Sequence, residues 1–178
     1  MTVVLWILIA QAILGGLDVL INHEWKEGLA YRQSARLEEA IHGLREILYA
    51  IVFIGLAWFA WYGSLAWIFA AILCVEIVLT GWDFVEEDRT RILSPTERLM
   101  HLALSMGGGA YCALLLPVLY QWSTMPTTLV HVDYGIASWL LSLFGVGVFG
   151  WGLRDLLAAS SLYLQSAPQR ASTPMEVI

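Results

Sequence analysis

Charged side chains are scarce in this chain. Asp, Glu, Lys and Arg make up 13% of its 178 residues, where a soluble domain carries about a quarter, and that shortage argues against an ordinary water-soluble fold. Basic residues are the scarcer sign. Nine Lys and Arg against fifteen Asp and Glu leave a net charge of −6, which speaks against a nucleic-acid partner, since such a partner wants a basic stripe. Cysteine is nearly missing as well. Cys74 and Cys112 sit inside apolar runs without CxxC spacing, so they read as small buried hydrophobes and not as a disulfide frame or a metal knuckle. No positive residue precedes the first apolar stretch, Thr2 to Ile21, which therefore reads as a membrane span and not as a cleavable signal.

What the chain has in quantity is apolar surface. Hydrophobic residues reach 59% and aromatics 12%, the opposite of a disordered composition. An integral membrane protein of one small domain is the expectation. Five apolar segments fall at about residues 3–21, 47–62, 65–82, 99–120 and 134–153. Each is near the length that a ~30 Å hydrocarbon layer requires at ~1.5 Å per residue. The second extends backwards, as helix, through Ser34 to Glu46, and Trp58, Trp61, Trp67, Trp82, Tyr120 and Trp122 lie near segment ends as an aromatic belt. The fold expected is all-α, with five transmembrane helices in one domain over residues 1–166 and a flexible cytoplasmic tail over 167–178. The first four helices form a bundle.

With five spans, all nine Lys and Arg fall on one side: Lys26, Arg32, Arg36, Arg45, Arg89, Arg91, Arg98, Arg154 and Arg170. The other side has none. Positive loops stay in the cytoplasm, so the C-terminus is expected inside and the N-terminus outside, in a bacterial inner membrane. Gly63-Ser64 marks a tight outer hairpin, and Ser94-Pro95 with Glu97 marks a helix start with Ser94 as its cap. Glycines 107–109 in the fourth span, and Gly145, Gly147, Gly150 and Gly152 in the fifth, permit close helix contact, and the fifth helix is a candidate face for a homo-oligomer.

The informative residues are polar ones in apolar company. Asp18 ends the first span, followed by Asn22-His23-Glu24; Glu39, His42 and Glu46 open the second helix. Glu76, Thr80, Asp83 and Glu87 run down the third, and Glu97 and His101 open the fourth. Spacings of three, four and seven put each set on one helix face. His42 and Asp83 are each about 20 residues, or ~30 Å, from the Gly63 turn; Glu39 is then level with Glu87, and His101 and Asp18 arrive at a similar depth. Carboxylates crowded in a low-dielectric layer require neutralisation. Arg45, Arg89, Arg91 and Arg98 offer a salt-bridge network, but the histidines at ligand spacing point to metal ions.

Asp18, Glu39, His42, Asp83, Glu87, Glu97 and His101 are the candidate ligands, and Glu46 and Glu76 the candidates for handling protons. His23, beside Glu24, Trp25 and Lys26, reads as an ordinary interfacial residue, with an extra ligand as the alternative, and His131 and Asp133 read as loop residues on the opposite side. Glu39-Ala40-Ile41-His42 resembles the Glu-x-x-His pair of ferritin-like di-iron and di-manganese carboxylate proteins, in which two helices of a bundle give one Glu each and two give a Glu-x-x-His. Helix four departs from that pattern with Glu97 and His101 as Glu-x-x-x-His, and the first helix offers Asp18 in place of Glu. Asp18…Asn22-His23-Glu24-Trp25, Glu39-x-x-His42-x-x-Arg45-Glu46 and Asp83-Phe84-Val85-Glu86-Glu87-Asp88 also resemble a family of small bacterial multi-pass proteins, a resemblance that carries no activity with it.

The resemblance implies two divalent metal ions, iron first, with zinc or manganese as alternatives. The function expected is an oxidoreductase acting on O₂ or a lipophilic substrate at the cytoplasmic interface. A zinc hydrolase of a lipid amide or ester, a haem-binding electron carrier, and a metal transporter or sensor are the competing readings.

Overall fold

The computed structural model describes residues 1–166; the tail expected over 167–178 lies outside the described residues. The chain is almost wholly helical. Helix α1 (Thr2–Asp18) continues directly into a π-helical stretch, Val19–Glu27. After two short 3-10 turns come α2 (Arg36–Trp58), α3 (Ser64–Thr90), α4 (Pro95–Ser123) and α5 (Ile136–Ser166). All five helices are long and apolar enough to cross a membrane, in agreement with the segment count from sequence, and each overruns its apolar segment at the polar end.

The local signals act where the sequence places them. Ser94 Oγ accepts from the Glu97 amide at 3.3 Å and Pro95 occupies the first turn of α4, which satisfies one of the free amides of a helix start. Gly63 takes φ +62°, and a side chain there would run into Thr127. The hairpin is more elaborate than expected. Residues Phe59–Trp61 form a short strand, β1, pairing antiparallel with β2 (Leu129–His131), with Ala60 opposite Val130. This pairing ties the two connections at that end of the molecule together, so His131 belongs to a strand and not to a loop, far from the polar layer as expected.

Packing corrects the expected bundle of the first four helices. The ring runs α1–α4–α3–α2–α5 and closes from α5 back to α1, with α5 packed along much of α2. Two glycines set this. A Cβ on Gly152 would stand 2.8 Å from Gly43 O, and one on Gly43 would stand 2.8 Å from Gly152 O and 2.9 Å from Leu156 N, so the two backbones touch. Gly145 is similarly tight against Ile54. Gly152→Val therefore overpacks this seam and is expected to cost about 1–3 kcal/mol, read as a lower thermal-unfolding midpoint in detergent; an unchanged midpoint would mean the seam is looser than its geometry. The apolar core lies at the hairpin end, around Leu5, Leu8, Leu56, Phe69, Tyr111 and Leu141, and leaves the other end to the polar groups.

Candidate metal centre

The polar layer gathers at the end of the ring opposite the hairpin. Ten carboxylates are buried there: Asp18, Glu38, Glu39, Glu46, Glu76, Asp83, Glu86, Glu87, Glu97 and Asp155. Among the described residues four guanidiniums reach them, the exposed Arg89 only Glu86, at 3.4 Å. Arg45 pairs with Asp83 at 2.5 Å and Glu76 at 3.4 Å, and Arg91 with Glu38 at 2.8 Å, Glu97 at 2.7 Å and Glu87 at 3.6 Å. Arg154 pairs with Asp155 at 2.7 Å and Glu39 at 3.6 Å, and doubly with Glu24. Burial works against the charge of Arg91, but the Glu97 and Glu38 carboxylates outweigh it and hold its pKa above the ordinary value. It stays a cation. Four positive charges against ten buried carboxylates leave most of the acids to be neutralised by protons or metal ions, since a low-dielectric layer does not tolerate bare charge.

Three histidines stand among these acids. His23 and His42 have ring centroids 4.4 Å apart, and His23 and His101 6.2 Å. Two ligand groups share this space. In the first, His23, Glu87, Glu97 and His101 each bring one donor atom, all within 4.8 Å of one another; in the second, His42, Glu46 and Asp155 do the same. Donors around one ion at ~2.1 Å stand no more than about 4.2 Å apart, a spacing of the same order.

Among the unsatisfied atoms are several that such an ion would use. His23 Nε2, both carboxylate oxygens of Glu87, Glu97 Oε2, Glu46 Oε2 and Asp83 Oδ1 are buried without a hydrogen-bond partner. Buried polar atoms of a folded protein nearly always have one. Nitrogen and oxygen donors of this kind suit iron, manganese or zinc.

The surroundings orient the imidazoles. His101 Nε2 lies 3.0 Å from Asp18 Oδ2 while its Nδ1 faces Glu87 Oε2 at 3.5 Å, and Phe84 stacks on the ring at 5.3 Å and 16°. Asn22 Nδ2 in turn donates to Asp18 at 2.6 Å. Asp18 thus fits the carboxylate that accepts from the far nitrogen of a ligating histidine better than a ligand itself. His42 repeats the theme: Nδ1 faces Glu46 at 4.0 Å, and Nε2 faces Asp83 at 3.9 Å, with Asp83 fixed by Arg45.

Of the residues singled out from sequence, Asp18, His42, Glu46, Asp83, Glu87, Glu97 and His101 meet in this layer. Glu39 is set apart from His42, in a group with Glu24 and Asp155 that Arg154 already occupies. Glu76 accepts from Thr80 at 2.7 Å and pairs with Arg45. His23, the alternative extra ligand, reaches the centre because the π-helical stretch bonds i to i+5 and winds by less per residue, which turns it toward the Asp18 face; on an α-helix it would sit about 140° away. One group is new. Asp155 comes from α5, and the depth count finds it: it lies about 20 residues beyond Gly135, as His42 and Asp83 lie about 20 from Gly63, the same ~30 Å along a helix.

A cavity of about 880 Å³ opens directly on the centre, inside the ring, with Asp18, His42, Glu46 and His101 in its wall. It is bounded by all five helices and becomes less charged away from the histidines, where Gln11, Tyr49 and Tyr111 stand among apolar groups, ending near Phe53 and Cys112. Compared with known proteins, the chain matches no family model, no curated protein and no solved structure.

Proposed function

We propose that the chain is a multi-pass protein of a bacterial inner membrane that holds two metal ions, iron first, and carries out oxidation or O₂ activation on a lipophilic substrate. The observation that carries the reading is the cluster of buried, unpartnered ligand atoms on Glu87, Glu97, His23 and Glu46 in a layer where carboxylates outnumber guanidiniums. The kinship to ferritin-like carboxylate proteins lies in this donor set more than in Glu39-x-x-His42. Orientation follows the one-sided Lys and Arg, which put the centre at the cytoplasmic face with the N-terminus outside.

His23, Glu87, Glu97 and His101 would hold one ion, and His42, Glu46 and Asp155 the other. When bound, such ions supply Lewis acidity and, as iron, one-electron chemistry. The chain does the rest. Asp18 fixes His101, Arg45 fixes Asp83 beside His42, and the apolar cavity keeps bulk water from the reacting side. Beyond the ligand Asp155, Glu39 and Glu24 lie outside the ligand set and lead toward the surface, where the Glu24 side chain is 24% exposed. These two would pass protons between the centre and the cytoplasm. The haem reading has less in its favour, because both nitrogens of His42 and of His101 face carboxylates.

Elemental analysis of protein purified without chelators, with an absorption spectrum of the same sample, tests this. About two irons per chain and no Soret band is the expected result. Zinc alone moves the assignment to the hydrolase, a Soret band to haem, and the lack of any bound metal leaves a salt-bridge network.

A further inference from the structure

The shape of the cavity names what it takes. Its wall runs from His42 to Phe53 on α2 and from His101 to Cys112 on α4. Eleven residues at ~1.5 Å make this about 16 Å along the helix axes, half of a ~30 Å hydrocarbon layer. That is the depth of the acyl chains of a single leaflet. The charged groups Asp18, His42, Arg45, Glu46, Glu76 and His101 all lie toward one end; Gln11, Tyr49 and Tyr111 add uncharged polar groups further in, among apolar walls such as Phe53, Leu104, Phe144 and Val148. A largely apolar cavity with its charge gathered toward one end orients an amphiphile.

Access is lateral. Gly16 on α1 and Gly147 on α5 both line the cavity and both are exposed, and a Cβ added at either meets nothing within 4 Å. The helices that close the ring therefore leave their shared wall bare along the shaft, on the side a lipid would approach.

We infer that the cavity binds one long acyl or alkyl chain of a lipid-derived substrate, drawn from the adjoining leaflet between α1 and α5. Its polar end lies against the histidine layer and its methyl end near Phe53 and Cys112. This rests on the membrane and metal reading above, and it narrows the lipophilic substrate to a single-chain amphiphile. Placed so, the polar end and first carbons of the chain are the part presented to the centre.

Photolabelling tests it. The full chain in phosphatidylcholine nanodiscs is exposed to a 14-carbon alcohol carrying a diazirine on its terminal carbon, and labelled peptides are mapped by mass spectrometry. Labelling is expected around Phe53 and Cys112, and is expected to fall at least tenfold in Gly147→Trp and in Gly16→Trp, while labelling of outward-facing residues such as Val78 stays constant. Should one variant fail to fold, the other decides. Labelling confined to outward-facing residues, labelling of Phe53 and Cys112 that both tryptophans leave intact, or labelling there only by a ring-headed quinone probe would each overturn the inference. Metal content of the same samples separates the two proposals. Bound metal without shaft labelling removes this one alone, and shaft labelling without metal upholds it and removes the metal centre.

Discussion

His23→Ala is expected to cost the protein one of its two metal ions while leaving its helices intact, and Glu39→Ala is expected to leave both in place. His23 is buried with an unpartnered Nε2 in a group with Glu87, Glu97 and His101. Loss of an orienting partner alone costs metal sites about 10- to 100-fold in affinity, so loss of a ligand should exceed that. Glu39 instead sits against Arg154, 3.6 Å away, beside Glu24 and Asp155. Elemental analysis after gel filtration, with circular dichroism as the check on folding, reads both. Retained stoichiometric metal in His23→Ala, or its loss in Glu39→Ala with normal helicity, would reverse the assignment and favour the Glu-x-x-His pairing.

The second large effect concerns Arg91. Its side chain is 4% exposed and joins Glu38 of α2, Glu87 of α3 and Glu97 of α4. Arg91→Leu leaves these carboxylates without their cation, and breaking a buried pair from one side costs about 3–5 kcal/mol. Thermal unfolding in detergent should show a large drop, partly recovered in the double variant with Glu38→Gln because the two residues share one interaction. Arg32→Ala is the control. Its pair with Glu27 is substantially solvent-exposed, so its loss should cost no more than about 1 kcal/mol. Equal effects at both positions would show that the layer around Arg91 is hydrated.

The five helices were legible because each is a long apolar run with turn residues between, and periodicity alone places Glu46, Asp83, Glu87 and His101 on inward faces. Depth counting from Gly63 put those residues in one layer, and the structure brings them there. What the sequence conceals is phase and partnership. His23 points inward because the end of the first helix is π-helical, and a regular 100° rotation hides that. Asp155 was overlooked because the four-helix analogy set the fifth helix aside, whereas Gly43 and Gly152 bring it into contact with α2. Spacing draws Glu39 toward the metal and leaves Glu76 free for protons, whereas Arg154 pairs with the one and Arg45 with the other; which of several nearby acids an arginine claims depends on side-chain geometry that spacing does not carry.

X-ray absorption at the metal edge of never-chelated protein reads the central claim most directly, because it reports what surrounds the ion. The centre described here requires a shell of nitrogen and oxygen near ~2.1 Å with imidazole scattering beyond it, and a second metal at about 3.5–4 Å, as in other two-metal sites. Neither cysteine belongs to either ligand group. A sulfur-containing shell, a shell without imidazole, or an edge too weak to show bound metal would contradict it.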